Sequence, residues 1–244
     1  MQIFTKVDIG LARPTNQDAA DAFMLTDEIA FAIACDGMGG SSGGDIASRC
    51  AVDTISQYVK NSFSAGMSNE SIAKLLKNAV LSANYDVYSL SKTNPDLAGM
   101  GTTVVAAIVT QTHAIICHVG DSRGYLINDN IIQLTSDHSV VQSLIESGKL
   151  SLSEAKSFPD KNVITRALGV EPDVFPDYSI VPVKPEDSIL LCTDGLTNFT
   201  EISEVLNIFK TNSIDKVADL LISAAKSGGG GDNISVVIVS QKRG

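Results

Sequence analysis

Between residues 101 and 134 the chain offers four short apolar runs, Thr102–Val109, Ala114–Val119, Gly124–Ile127 and Ile131–Leu134, with only three or four residues between successive runs. Parallel neighbours need a crossover of about a dozen residues, so runs this close together must pair antiparallel or not at all. Asn128-Asp129-Asn130 supplies a hairpin turn between the last two. Helical patterns flank this meander. Ile46, Ala47, Cys50, Ala51, Ile55, Tyr58 and Val59 fall on one stripe of a helix predicted over Gly44–Phe63. Ile72, Leu75, Leu76, Ala79, Val80, Ala83, Val87 and Leu90 do the same over Ser68–Ser91, with Ser68 as N-cap. Further strands are expected at Gln2–Val7, Ala20–Leu25, Ile29–Cys35, Ile189–Thr193 and Ile234–Ser240, and further helices near Glu201–Phe209 and Ile214–Ser227. Helices, then clustered strands, then helices again describe an α+β layered fold and not a doubly wound parallel sheet.

The apolar strands end in a repeated way. Ile29–Cys35 is followed by Asp36-Gly37 and Ile189–Thr193 by Asp194-Gly195. Asp121 lies in a tight turn between two strands, and Asp232 follows the glycines Gly228 to Gly231 just before the last strand. "RPTNQD" adds Arg13, Gln17 and Asp18. One such aspartate is ordinarily a turn residue. Four of them on one rim would repel one another unless cations neutralised them, and an all-oxygen site of that kind suits Mg²⁺ or Mn²⁺. Spacing alone does not decide whether the strand ends converge. The glycine run lacks a following Lys-Ser/Thr, so it is no nucleotide loop and reads as a flexible approach to Asp232.

Bulk properties narrow the field. The chain has 244 residues, 44% of them hydrophobic, which fits one large domain. A net charge of −10 and a pI near 4.7 speak against nucleic acid as a partner. Cys35, Cys50, Cys117 and Cys192 form no C-x-x-C pair, and three of them sit in apolar runs that would bury free thiols in a reducing cytosol. Alternation should turn Cys35 and Cys192 into core layers, away from catalysis. His113, His118 and His138 are expected in structural or solvated roles, and Arg123 and Arg166 in pairs with nearby carboxylates or carbonyls. Without a signal peptide or a membrane-length apolar run after Met1, the chain is expected to be complete, soluble and cytoplasmic, with no membrane partner.

The segments "GLARPTNQD", "ACDGMGG", "GTTVVAAIV", "VGDSRGYL", "LTSDHSVV", "VITRALG", "CTDGL" and "GGDNISVVIV" follow in this order. Together they resemble the metal-dependent Ser/Thr protein phosphatases of type 2C (PPM), of the compact bacterial kind, over nearly the whole chain. The resemblance implies a four-layer αββα sandwich, two antiparallel sheets face to face with helices outside, forming one catalytic domain over 1–244. It implies two core Mn²⁺ or Mg²⁺ ions and a third, weaker one. Asp36 would bridge the core ions; the Gly37 carbonyl would join one, and Asp194 and Asp232 the other. Asp18 would hold metal-bound water, Asp121 would share the third ion with Asp194, and Arg13 would bind phosphate. Two such ions about 3.5–4 Å apart would bring a bridging water towards neutral pKa, and its hydroxide would attack phosphorus in line without a phosphoenzyme.

The resemblance also implies a flap subdomain at about 137–165, although a plain helical insertion fits that segment equally well. The partners implied are phosphorylated proteins, among them a Ser/Thr kinase and its substrates, met by a monomeric enzyme. Three positions depart from common members: Gln17 replaces a frequent Glu, Met38 a histidine proposed as general acid, and Phe158 a frequent flap histidine. Rival readings are a pseudo-phosphatase that binds without turnover, a phosphatase dedicated to an anti-sigma antagonist, and a Ca²⁺-binding module.

Overall fold

The computed structural model describes residues 1–155, 158–159 and 162–241. Two antiparallel sheets form its centre. One runs β1 (Gln2–Asp8), β11 (Ile234–Ser240), β10 (Ser188–Cys192), β7 (Arg123–Ile127), β8 (Ile131–Gln133). The other runs β2 (Asp18–Thr26), β3 (Ile29–Met38), β5 (Val104–Val109), β6 (His113–Val119), β9 (Asp177–Pro182), with the short β4 (Gly101–Thr102) pairing to the end of β3. Helices α1 (Gly40–Ser62) and α2 (Asn69–Thr93) cover the second sheet. Helices α5 (Asp194–Thr197), α6 (Ile202–Thr211) and α7 (Ile214–Ser227) cover the first, while α3 (Val140–Glu146) and α4 (Leu152–Ala155) belong to the 137–165 excursion. No helix among the described residues is long and apolar enough to cross a membrane.

Three apolar layers hold this αββα stack together, and strand alternation sorts side chains between them. Phe31, Ile33 and Cys35 of β3 face α1 and α2, where they meet Ala47, Ile55, Leu76 and Val80. Ala30, Ala32 and Ala34 of the same strand face the other sheet, against Val237, Val239 and Leu191. Leu190, Cys192, Val236 and Ile238 face α6 and α7 through Val205, Phe209, Val217 and Leu221. Each fully buried Val, Leu, Ile or Phe contributes about 1.5–3 kcal/mol. The alanines matter as much, because small side chains let the sheets approach closely. Ser68 caps α2, its side chain accepting from Ser71 N–H at 3.2 Å. Ile46 and Leu90, expected on the inner stripes, are exposed at 37% and 39% because they lie at the stripe margins.

The clustered strands are not one meander. β5 and β6 pair in one sheet, β7 and β8 in the other, so the chain crosses between sheets at Gly120–Ser122. β3 also runs on through Asp36 to Met38, past the expected stop at Cys35, because Gly37 pairs with Thr102 and Asp36 with Asp18. Asp36 is thus a strand residue and not a turn residue. The glycines before Asp232 are packed tightly, contrary to a flexible approach. A Cβ on Gly228 would sit 1.8 Å from the Phe199 carbonyl oxygen, and Leu11 N–H donates to the Gly230 carbonyl at 2.7 Å.

Candidate metal centre

The same alternation that sorts the core places the carboxylates. Continuing Ala30, Ala32, Ala34 by one step puts Asp36 on the face towards the other sheet. Ala22 and Ala20 of β2 lead back to Asp18, directly opposite Asp36 in the register. Ile189 and Leu191 lead to Thr193; Val239 and Val237 lead to Ser235. The inter-sheet layer therefore ends, at one rim, in a polar plug. Thr193 Oγ1 donates to Asp18 Oδ2 at 2.7 Å and accepts from Ser235 N–H at 2.9 Å. Asp194 follows Thr193 at the start of α5, Asp232 precedes β11, and Asp121 rides the crossover between the sheets.

Arg13, Asp36, Gly37, Asp121, Asp194 and Asp232 line one cleft of about 490 Å³. Asp18 is buried behind it at 6% exposure. From the excursion at 137–165, Asn162 and Ile164 reach the same cleft; part of that excursion, residues 156–157 and 160–161, lies outside the described residues.

Neutral residues fix the carboxylates. Asp36 N–H donates to Thr103 Oγ1 at 2.9 Å, Thr103 N–H donates to the Asp36 carbonyl at 2.8 Å, and the Thr103 and Ser122 hydroxyls are hydrogen-bonded to each other at 2.6 Å. Asn233 Nδ2 donates to the carbonyls of Ile9 and Thr15 at 2.9 and 3.0 Å, while its Oδ1 accepts from Gln17 N–H at 2.8 Å. One buried amide so pins both ends of the loop that carries Arg13. Gly37 is a close-approach glycine, since a Cβ there would lie 1.9 Å from the Gly44 carbonyl oxygen.

The electrostatics are those of crowded anions. Burial first, then Asp18, Asp194, Asp121 and Asp232, pushes Asp36 well above the usual carboxylate range. Burial raises Asp18 to about 7, the Thr193 bond opposing it and Asp194 and Asp232 adding to it. Asp121 is likewise pushed up to about 7 by burial and then Asp194. Asp194 is raised by burial and then Asp232, while Arg123 and the hydrogen bond from Asn198 Nδ2 at 2.8 Å work the other way. Asp232 is partnered by Arg13, whose Nε and Nη2 reach its two oxygens at 2.8 Å each. Arg123 and Arg166 are paired as expected, with Asp137 at 2.6 Å and Asp177 at 3.2 Å. Among the described residues, Asp18 Oδ1 and Asp194 Oδ1 are buried with no hydrogen-bond partner. Orphaned, crowded oxygen donors with no sulfur or imidazole among them fit a hard divalent cation.

Thr103, Thr193, Asn233 and Asn162 were not singled out by the sequence. Thr193 and Asn233 adjoin site aspartates, a usable signal; Thr103 and Asn162 reach the site only through folding.

Against known proteins, residues 13–223 match the family model described as Protein phosphatase 2C. The chain belongs to the protein phosphatase 2C family. It is 40% identical over 238 residues to the serine/threonine phosphatase stp of Listeria monocytogenes, covering 97% of this chain and 94% of that one. The serine/threonine phosphatase Stp1 of Staphylococcus aureus superposes with a TM-score of 0.92 at 30% identity, over 98% of this chain and 94% of that one. The catalytic domain of the serine/threonine protein phosphatase PstP, solved in complex with 2 manganese ions, gives a TM-score of 0.86 at 30% identity over 98% and 97% of the two chains. As a type 2C member the protein is a metal-dependent phosphoprotein phosphatase, and the αββα sandwich is the architecture it shares with its structural neighbours.

Proposed function

We propose that the protein hydrolyses phosphoserine and phosphothreonine in cytoplasmic proteins with a binuclear Mn²⁺ or Mg²⁺ centre at the sandwich rim, acting as a monomer against the products of a Ser/Thr kinase. The observation that carries this reading is the set of buried and half-buried carboxylates that meet there with two buried oxygens unpartnered. Asp36, the Gly37 carbonyl, Asp194 and Asp232 would hold the two core ions. Asp121 and Asp194 offer a third position, and Asp18 stands one step behind, braced by Thr193. Bound there, two divalent ions supply positive charge for the phosphoryl oxygens and lower the pKa of water towards neutrality.

The chain's own residues do the rest. Arg13 presents a planar fork that matches two phosphoryl oxygens, and its present bidentate grip on Asp232 displays that reach. With Asp232 engaged by a cation, the Arg13 fork would be free to bind the substrate's phosphoryl oxygens. Met38 at the cleft edge has no proton to give, so the leaving oxygen is not protonated from that side chain. The cysteines take no part: Cys35 and Cys192 are fully buried in the core layers beneath the helices. Residues 1–244 form one catalytic domain in which 137–165 is a flap, brought to the cleft by Asn162 and Ile164.

The test is hydrolysis of a phosphothreonine peptide with Mn²⁺, with Mg²⁺ and after chelation, in wild type and Asp194→Asn. Turnover with Mn²⁺, loss on chelation and a drop of about a thousandfold in the variant are expected. Turnover indifferent to chelation would remove the metal mechanism, and binding without turnover would make the protein a phosphoprotein reader.

A further inference from the structure

A second cluster of titratable side chains adjoins the Gly120–Asp121 crossover. His118 and His138 are buried and stacked, ring centroids 4.6 Å apart at 22°. Asp177 and Arg166 join them at the surface. Ligand atoms of His118, His138 and Asp177 all lie within 4.8 Å of one another, a spacing that would admit a metal ion. The hydrogen bonds argue against one. Gly120 N–H donates to His138 Nδ1 at 3.1 Å, so Nδ1 is an acceptor and the ring proton sits on Nε2, which donates to Asp177 Oδ2 at 3.1 Å. A metal on Nε2 would drive the proton to Nδ1, where it would face the Gly120 N–H. His118 Nε2 faces the Ser136 carbonyl at 2.9 Å and must donate there. Both rings are fixed as neutral Nε2–H tautomers by what surrounds them.

His138 also donates its backbone N–H to the Gly120 carbonyl at 3.0 Å. One residue thus satisfies both backbone groups of a glycine at φ 102°, a conformation that a β-carbon would strain. On its other side Gly120 is walled by Thr103, since a Cβ would stand 2.6 Å from Thr103 Cγ2. Asp121 is the next residue, so its position follows from this clamp. The clamp has a second end. Thr165 N–H donates to the His138 carbonyl at 2.7 Å, and Asp177 Oδ1 accepts from Arg166 Nη1 at 3.2 Å. The returning end of the 137–165 excursion is therefore bonded to the residue that grips the Asp121 turn.

We infer that His138 is a positioning residue of the phosphatase: it sets the Gly120–Asp121 crossover in ligand geometry and joins it to the root of the 137–165 excursion. This rests on the reading that Asp121 holds the weakest-bound ion.

The experiment titrates Mn²⁺ alone into the metal-stripped full chain by calorimetry, follows the Gly120 amide by hydrogen exchange, and measures phosphopeptide kcat against Mn²⁺ concentration. The variants are His138→Ala, His138→Asn, His138→Gln and Asp121→Asn. Asn keeps an acceptor near the place of Nδ1 and drops the Asp177 bond; Gln places its polar end near Nε2 and leaves Gly120 N–H unmet. His138→Ala is expected to weaken the last Mn²⁺ step about tenfold, leave the tighter steps unchanged and speed Gly120 exchange, while Asn restores binding to within about threefold and Gln does not. If Asp121→Asn abolishes the last step but His138→Ala leaves it within about twofold, the inference is overturned and the metal reading stands. If Asp121→Asn leaves every step unchanged, the role of Asp121 fails and the inference falls with it. Should the alanine variant not fold, equal Mn²⁺ binding by Asn and Gln overturns the inference by itself.

Discussion

Asp36 is half-buried, lies opposite Asp18 across paired strands and shares its cleft with Asp121, Asp194 and Asp232. Such a group is costly when ionised and inexpensive when neutral, so it opposes folding unless a cation or a proton is present. Asp36→Asn should therefore stabilise the metal-stripped protein by about 1 kcal/mol, a Tm higher by about 2–4 °C, while abolishing both turnover and the Mn²⁺-induced rise in Tm. Thermal melts with and without Mn²⁺ check it, and a stripped variant less stable than wild type would mean that the carboxylate is already satisfied. Arg13 has the opposite character, half-exposed and needed for its geometry. Arg13→Lys keeps the charge but not the fork. We expect a KM for phosphopeptide raised about tenfold with kcat less affected, and a loss of about a hundredfold in kcat/KM for Arg13→Ala. Steady-state kinetics at saturating Mn²⁺ separate the two, and a lysine variant equal to wild type would leave Arg13 with no bidentate role.

At the level of elements, the centre depends on how closely α5 meets the start of β11. A Cβ on Gly195 would lie 1.8 Å from the Asn233 carbonyl oxygen, a backbone atom that cannot step aside. Gly195→Ala should cost about 2–4 kcal/mol and weaken Mn²⁺ binding, because Asn233 also pins the Arg13 loop. Gly124→Ala meets side-chain atoms, the nearest of them Leu191 Cδ2 at 3.3 Å with Thr135 and Ile116 at ordinary contact distance, and should cost under about 1 kcal/mol. Urea unfolding compares them; equal costs would show that the junction relaxes. These junctions also mark what the sequence made legible. Strands such as β3, β5, β10 and β11 are dense apolar runs and were readable, as was the α2 cap at Ser68. β9 was not: it is an edge strand with Asp177, Tyr178 and Pro182 exposed, so no alternation marks it. The start of α1 was read four residues late because glycine and serine carry little helical signal. The site aspartates stood out as polar ends of apolar runs. Thr103 did not, because its bonds to Asp36 and Ser122 exist only once β3, β4 and the crossover are brought together.

Across the whole molecule, the acidic charge of −10 and the anionic substrate are reconciled at one rim, where the inter-sheet core stops and the carboxylates begin. Protons and divalent ions then compete for the same oxygens. Burial first, then neighbouring aspartates, holds Asp18 and Asp121 at about 7 in the metal-free fold, far above an unfolded aspartate. Because folding raises these pKa values, their contribution to stability is fully present below about pH 4 and is lost as pH rises through about 7. The stripped protein should therefore melt at a lower temperature at pH 8 than at pH 5.5, and the drop should shrink in Asp18→Asn, which cannot ionise there. Comparison with that variant removes the general self-repulsion of an acidic chain, which grows over the same range. Mn²⁺ must displace the protons, so its affinity should rise with pH through the same window and its stabilising effect be largest at pH 8. Calorimetric titrations and melts at the two pH values measure both quantities. A pH-independent Mn²⁺ affinity would mean that the carboxylates are ionised before the ion arrives, and that the crowding at the rim is relieved by something other than protons.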